Sequence, residues 1–279
     1  MVKNRIHSIL HRNLISYGEY TDLFGRRGME FLKSVVLPED ERFQLDGELR
    51  LLDYIGGEIG GIRERIAKKA VADEEMLRMM TLPGIDFLTA LSLKAAIGDV
   101  RRFKSSKKLV SYIGLNPRVS QSGKYSYTGS ITKRGRSHAR WVLIQAAQHA
   151  VEAPSPLRAF FLRLKRKKGR NKAIVAVAAK LARIIWNMLT KKEDYFFAPP
   201  LRTKEKLRRL RVIATGERMK SGPKKGEKSR GGREKYEDDC RNDHNAGREA
   251  EKDYLLLVKN RLNSENDGLL EGKGEKRLH

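Results

Sequence analysis

TLPGIDFLTALSLKAAIGDVRRFKSSKKLVSYIGL, residues 81–115, reads as turn, helix, break, helix. Leu82-Pro83-Gly84-Ile85 supplies a tight turn, because proline fixes φ and glycine takes conformations that other residues avoid. Leu88, Leu91, Ala95 and Ile97 form the apolar face predicted for the following helix. Gly98-Asp99 ends that helix, and a second begins at Lys107 and runs to Ile113. Two helices about a glycine turn make a helix-hairpin-helix-like unit. In such a unit the turn exposes backbone N–H groups at a helix start, where a phosphate oxygen is held. Pro83 and Gly84 are therefore candidate nucleic-acid contacts. The alternative is an ordinary αα-turn with a Pro-Gly break.

Downstream, NPRVSQSGKYSYTGSITKRG, residues 116–135, changes character. Small polar residues alternate with Val119, Tyr125 and Tyr127, and Gly123, Gly129 and Gly135 punctuate them. This predicts a short hairpin or loop with Ser122-Gly123 at or near its turn. Three helices follow: one from about Ser137 to Ala153, one with Ser155 as N-cap and Pro156 at N1, and an alanine-rich one over Asn171–Leu189. After Pro199-Pro200, aliphatic residues thin out and both charges crowd in. The reading for 193–279 is a linker and a mostly disordered charged tail, with LLLV at 255–258 able to seed a short helix.

Upstream, residues 1–79 read as a long helical hairpin or coiled coil. Pro38, Glu39 and Asp40 make a helix start with acids in its first turn. Leu45, Leu49, Leu52, Ile55, Ile59, Ile62 and Ile66 then recur at steps of three and four, close to a heptad seam. Gly56, Gly57, Gly60 and Gly61 weaken the helix but admit a partner helix closely. Packing against residues 2–37 of the same chain and homo-oligomerisation through residues 39–70 are both consistent with the pattern.

The charge is not spread evenly. The chain carries a formal +25 over 279 residues. Between Asp99 and Glu193 there are twenty-three Lys and Arg against one acid, Glu152, a net of +22. A solvated surface mixes both signs, whereas this one is suited to neutralising phosphates. Cys240 is the single cysteine, so no internal disulfide forms, and no Cys/His cluster has zinc spacing. Ala173–Leu189, the most apolar stretch, contains Lys180 and Arg183 and reads as too short and too charged for a bilayer. No membrane partner is expected. The fold class is mainly α: the 1–79 segment, a basic helical domain over 80–192 with a short hairpin or loop, and the tail.

Residues 100–151 contain no carboxylate, so this segment has neither the acids for Mg²⁺ nor an Asp to orient a histidine. It offers hydroxyls among cations instead. Ser120, Ser122, Ser126, Ser130 and Tyr127 lie close in sequence to Arg118, Lys124, Lys133, Arg134, Arg136 and Arg140. A hydroxyl that attacks a phosphodiester needs donors around the phosphorus, and guanidinium donates in a fork. Serines and glycines in a polar loop also serve simply as turns and phosphate contacts, and spacing alone does not choose between these roles.

Four ordered blocks add a resemblance. They are Pro83-Gly84-Ile85; Gly98-Asp99 with Arg102-Phe103; Tyr112, Gly114-Leu115 and Pro117-Arg118 with Ser122-Gly123; and Lys133, Gly135 and Arg140. Together with the basic helix ending in IIWNML, they resemble the carboxy-terminal transposase domain of the IS110 (IS116/IS902) family over about residues 80–192. The resemblance implies a DNA recombinase that mobilises an insertion sequence, in several members with a guide RNA, and a prokaryotic cytoplasmic protein acting at the nucleoid. It also implies a nucleophilic serine five residues after the Pro117 position and before a glycine, which is Ser122 followed by Gly123; Ser120 is the nearest rival. Members carry an amino-terminal RuvC-like domain with a four-acid metal site. No such half is seen here, since Asp22, Asp40, Asp46 and Asp53 lie on or beside predicted helices. The expectation is a truncated or split form that binds no cofactor itself and takes Mg²⁺ in trans from a RuvC-like domain. A non-catalytic DNA- or RNA-binding helical module is the competing reading.

Overall fold

The structure, a computed structural model, describes residues 1–122, 125–217 and 230–274, without the side chains of Thr128, 230–236 and 261–274. Among the described residues the protein is helical apart from one two-stranded antiparallel sheet. The chain divides into two compact units, Met1–Arg65 and Ile66–His279.

In the first unit, α1 (Val2–Arg12), α2 (Arg26–Ser34) and the first part of α3 (Glu39–Val71) share a small core. Ile6, Ile9 and Leu10 meet Leu32, Leu45 and Leu49 there. Glu39, Asp40 and Glu41 fill the first turn of α3, where carboxylates suit the helix dipole. Arg12 holds Glu41 at 2.9 Å and Arg5 holds Glu48 at 2.6 Å. The intrachain hairpin therefore forms, but only over the first part of the heptad seam. Further along, Ile55, Ile59 and Ile62 are 37%, 52% and 56% exposed. A Cβ added at Gly56, Gly57, Gly60 or Gly61 would meet nothing within 4 Å.

The second unit begins earlier than residue 80. Ala67 and Ala70 on the last turns of α3, and Met76, Met79 and Met80 of α4 (Glu74–Met80), are buried in its core. Asp73 caps α4 by accepting from the Glu75 and Met76 amides, and its other oxygen takes Lys94 at 2.5 Å. Then come α5 (Phe87–Ile97), a 3-10 turn at Val100–Arg102, α6 (Ser106–Ile113), the strands β1 (Pro117–Ser122) and β2 (Tyr125–Ile131), α7 (Ser137–Ala150), α8 (Pro156–Lys168) and α9 (Arg170–Lys191). The buried face of α5 is Phe87, Ala90, Leu93 and Ile97, whereas Ala95 is exposed. The helix is apolar nearly all round, so periodicity could not fix its inner side.

At the centre lies α9. Ala173, Ile174, Val177, Ala178, Leu181, Ala182 and Ile185 are buried, and their small members let α6, α7 and α8 approach. At 22 residues this helix is long and apolar enough to cross a membrane by length and composition alone. Its length is therefore no argument against a bilayer. Its buried face packs into the protein's own core instead.

After Pro200, where disorder was expected, the described residues form α10 (Pro200–Thr215) and α11 (Arg230–Gly274), and the expectation for 218–229 and 275–279 falls outside the described residues. Leu210 and Ala214 of α10 are buried in the main core. Gly247 lets α11 lie on Pro154, whose carbonyl oxygen would be 2.3 Å from an added Cβ. Glu251 reaches Arg158 at 4.0 Å, and the Lys180 ammonium sits 4.5 Å from the Tyr254 ring. Leu255, Leu256 and Leu257 fall inside α11 and remain exposed.

Candidate nucleic-acid interface

Two glycines fix the base of the β1–β2 hairpin. Gly114 ends α6 with φ +78, and a Cβ there would lie 2.3 Å from the Arg134 carbonyl oxygen. Gly135 has φ +113, and its Cβ would lie 2.0 Å from the Tyr112 carbonyl oxygen. No L side chain fits either position, so the strands entering and leaving the hairpin touch backbone to backbone. The amides of Thr132, Lys133 and Arg136 then donate to the carbonyls of Asn116, Gly114 and Tyr112. Arg140 reaches in from α7 and donates to the Ile113 and Lys133 carbonyls at 3.0 and 3.1 Å. Arg136 donates to the Tyr112 hydroxyl at 2.8 Å, and the Arg102 guanidinium lies 4.6 Å from the same ring. These two arginines, Arg136 first, pull the phenol below its ordinary pKa. Tyr112 in turn packs on Phe103, whose carbonyl accepts from the Trp186 indole at 3.0 Å.

The predicted candidates thus separate into two groups. Arg136 and Arg140 hold the clamp. Arg118, Lys133 and Arg134 are exposed and make no side-chain hydrogen bond or ion pair among the described residues. Lys133 also adopts a positive φ of 55°, at the point where the chain leaves the hairpin.

Beyond the clamp the hairpin projects, with all of β1 exposed. Its register pairs Ser122 with Tyr125, Gln121 with Ser126 and Ser120 with Tyr127. Residues opposite one another on antiparallel strands share a face, and successive residues alternate. One face therefore carries Ser120, Ser122, Tyr125 and Tyr127, and the other carries Gln121 and Ser126. A Cβ added at Gly129 would lie 3.5 Å from the Tyr127 ring and 4.0 Å from Arg118 Cβ, which puts Arg118 on the serine face too. Gly123 and Lys124 lie outside the described residues.

Pro83 and Gly84 are placed differently. Gly84 has φ +80 and packs on α7, with the Ala146 carbonyl oxygen 2.2 Å from where a Cβ would be. The start of α5 is capped by Asp86, which accepts from the Thr89 amide at 2.8 Å. That amide is thereby met by the chain's own carboxylate. From below, Lys206 of α10 donates to the carbonyls of Met80, Leu82 and Ile85, the last two at 2.7 and 3.0 Å. Burial pushes the Lys206 ammonium down to about 8; Asp86 opposes the shift and Arg202 adds to it. The geometry supports a packing role for this turn. Lys206 carried no sequence signal, since its partners lie more than a hundred residues away.

No three His, Cys, Asp or Glu side chains come together among the described residues.

Fold and site together define a helical domain of concentrated positive charge that holds a hydroxyl- and arginine-bearing hairpin away from its core. Residues 76–162 match the transposase IS116/IS110/IS902 family. The transposase for insertion sequence element IS1111A of Coxiella burnetii is 38% identical over 141 residues, 49% of this chain and 39% of that protein. A probable family 20 transposase of Pseudomonas aeruginosa is 28% identical over 195 residues, 64% of this chain and 57% of the relative. The transposase for insertion sequence element IS1328 of Yersinia enterocolitica is 28% identical over 213 residues, 68% and 60% respectively. The chain thus spans 39% to 60% of the length of these relatives.

Proposed function

We propose that this chain is a DNA transposase or recombinase of an insertion sequence, with Ser122 as the nucleophile on a DNA phosphodiester. The hairpin register carries the reading, because Ser122 is exposed at the strand end on the same face as Arg118. In the attack, Ser122 Oγ bonds to phosphorus and the bond from phosphorus to the departing strand's oxygen breaks. That oxygen takes a proton, and the other strand end stays joined to the chain as a phosphoserine diester. Arg118 offers forked donors to the non-bridging oxygens where charge builds. The serine proton must go to a base, and residues 100–151 hold no carboxylate to take it. We assign the base and the Mg²⁺ to a RuvC-like domain supplied in trans, with any element-encoded guide RNA; no step is routed through a metal on this chain. Self-association through residues 39–70 belongs to the same proposal, and the open Ile55, Ile59 and Ile62 seam supports it. Light scattering that shows only monomer at micromolar concentration would reject that part.

Alone, the chain is expected to bind DNA without cutting it. With the matching RuvC-like domain and Mg²⁺, it should form a covalent protein–DNA adduct detectable on a denaturing gel. Ser122→Ala should abolish the adduct and leave binding nearly intact, since one hydroxyl adds little to a many-phosphate contact. An adduct that survives Ser122→Ala and disappears with Ser120→Ala moves the assignment to Ser120. An adduct indifferent to both leaves the binding-only reading.

A further inference from the structure

The serine face of the hairpin carries two large rings. Tyr125 is 85% exposed and Tyr127 is 73% exposed, directly opposite Ser122 and Ser120. Neither tyrosine makes a ring contact or a side-chain hydrogen bond among the described residues. Core packing therefore does not account for them. They sit two residues apart on one strand, so their rings lie side by side along the hairpin. Arg118 shares the face, and Lys133 and Arg134 flank its base. An apolar partner surface would have to bury those cations, whereas a nucleic-acid strand would neutralise them. Gly129 matters as well: it leaves open the space between the Tyr127 ring and Arg118 that any side chain would begin to fill.

We propose that Tyr125 and Tyr127 form a stacking platform for unpaired nucleobases next to the phosphate presented to Ser122. This inference deepens the serine reading and rests on it for the identity of that phosphate. The stacking itself does not require the attack. Bases inside a duplex already stack on each other and offer these rings no face. The platform therefore selects a strand that is single, displaced or opened at the crossover point. Cross-strand neighbours lie about 5 Å apart at Cβ. A base on Tyr125 thereby keeps its own nucleotide's phosphate within reach of Ser122 and Arg118. The tyrosines are positioning residues, and Arg118, four residues from Ser122 towards the hairpin's base, grips the backbone farther along the strand.

The test uses the full chain and a DNA oligonucleotide carrying 2-aminopurine, single-stranded or fully paired. Its readouts are the fluorescence of the analogue, quenched on stacking, and the affinity. The wild type should quench the single strand strongly and the duplex little. Tyr125→Ala with Tyr127→Ala should lose the quenching and weaken single-strand binding about 10-fold, with duplex affinity moved less than about twofold. The double Phe variant should behave as wild type, because a π face is what the base requires. Equal loss on single strand and duplex, no loss on either, or a Phe variant as poor as Ala each overturns the platform. Ser122→Ala should keep the quenching in full. If it abolishes the adduct while quenching never appears, the platform fails and the serine reading stands. If quenching appears but no serine variant alters the adduct, the serine reading fails and the platform stands.

Discussion

Gly135 and Arg140 serve the hairpin from opposite directions, and their substitutions should fail in different ways. At Gly135, φ is +113 and a Cβ would overlap the Tyr112 carbonyl oxygen at 2.0 Å. Only glycine reaches this region without strain, and the backbone oxygen cannot rotate away. Gly135→Ala is expected to cost roughly 3 kcal/mol or more of unfolding free energy, at the upper end of single-residue effects. It should also release the Lys133 and Arg136 amides to rapid hydrogen exchange. A variant with wild-type denaturant midpoint and intact protection would show that the clamp does not exist as described. Arg140 has no clash to create. Its loss leaves the carbonyls of Ile113 and Lys133 without their donor, about 1–3 kcal/mol of unmet desolvation. Both residues occur in the block Lys133, Gly135, Arg140, and both contribute architecture. Lys133 and Arg134 beside them are exposed and take no part in the clamp through their side chains.

At the scale of elements, α10 shows what sequence reading could and could not reach. The helices over 81–115 and 137–189 were legible because their caps and turns are local: the Leu82–Ile85 turn, Gly98, and Ser155 with Pro156 each act within a few residues. The hairpin was legible as hairpin or loop, and its parity resolved only with the register. The tail was read as disordered because its ordering contacts are distant: Lys206 on Met80, Leu82 and Ile85, Gly247 on Pro154, Glu251 on Arg158. Composition has no access to such pairs. The Lys206 contact also makes a pH prediction. Its value falls from 10.5 unfolded to about 8 folded, through burial above all. Between those values the unfolded chain binds the extra proton and the folded one does not. Stability then rises with pH through that window, and below pH 8 the cost of burying the charge is constant. The three carbonyl acceptors favour the ammonium and make the gain smaller than the shift alone gives. Relative to Lys206→Met, the wild type is expected to gain up to ~3 kcal/mol between pH 8 and 10.5. Chemical unfolding at a series of pH values reads this difference directly. A flat difference would mean that Lys206 keeps its ordinary value and that the carbonyls fully offset its burial.

Over the whole molecule, the +22 concentrated between Asp99 and Glu193 overstates the charge available to a ligand. Arg101 is paired with Asp99 at 3.0 Å. Arg102 and Arg136 lie on the Tyr112 ring, Arg140 is spent on carbonyls, and Lys180 sits between the rings of Phe160 and Tyr254. Burial, with Arg163 nearby, pushes Lys180 down to about 8, so it is also a weaker cation near neutral pH. The number of phosphates neutralised is thus set by the exposed remainder rather than by the total. Counterion release makes that number measurable, since log K falls against log salt with a slope of about −0.9 for each phosphate contacted on duplex DNA. Arg118→Ala and Arg134→Ala should each flatten the slope by about one unit, with unfolding unchanged. Arg140→Ala should do the reverse, lowering stability while the slope of the folded fraction stays put. Binding isotherms of the full chain at several salt concentrations, paired with unfolding curves of the same variants, separate the two behaviours. A slope that drops equally for all three arginines would mean that Arg140 reaches phosphate after all, and that the division between clamp and contact residues is wrong.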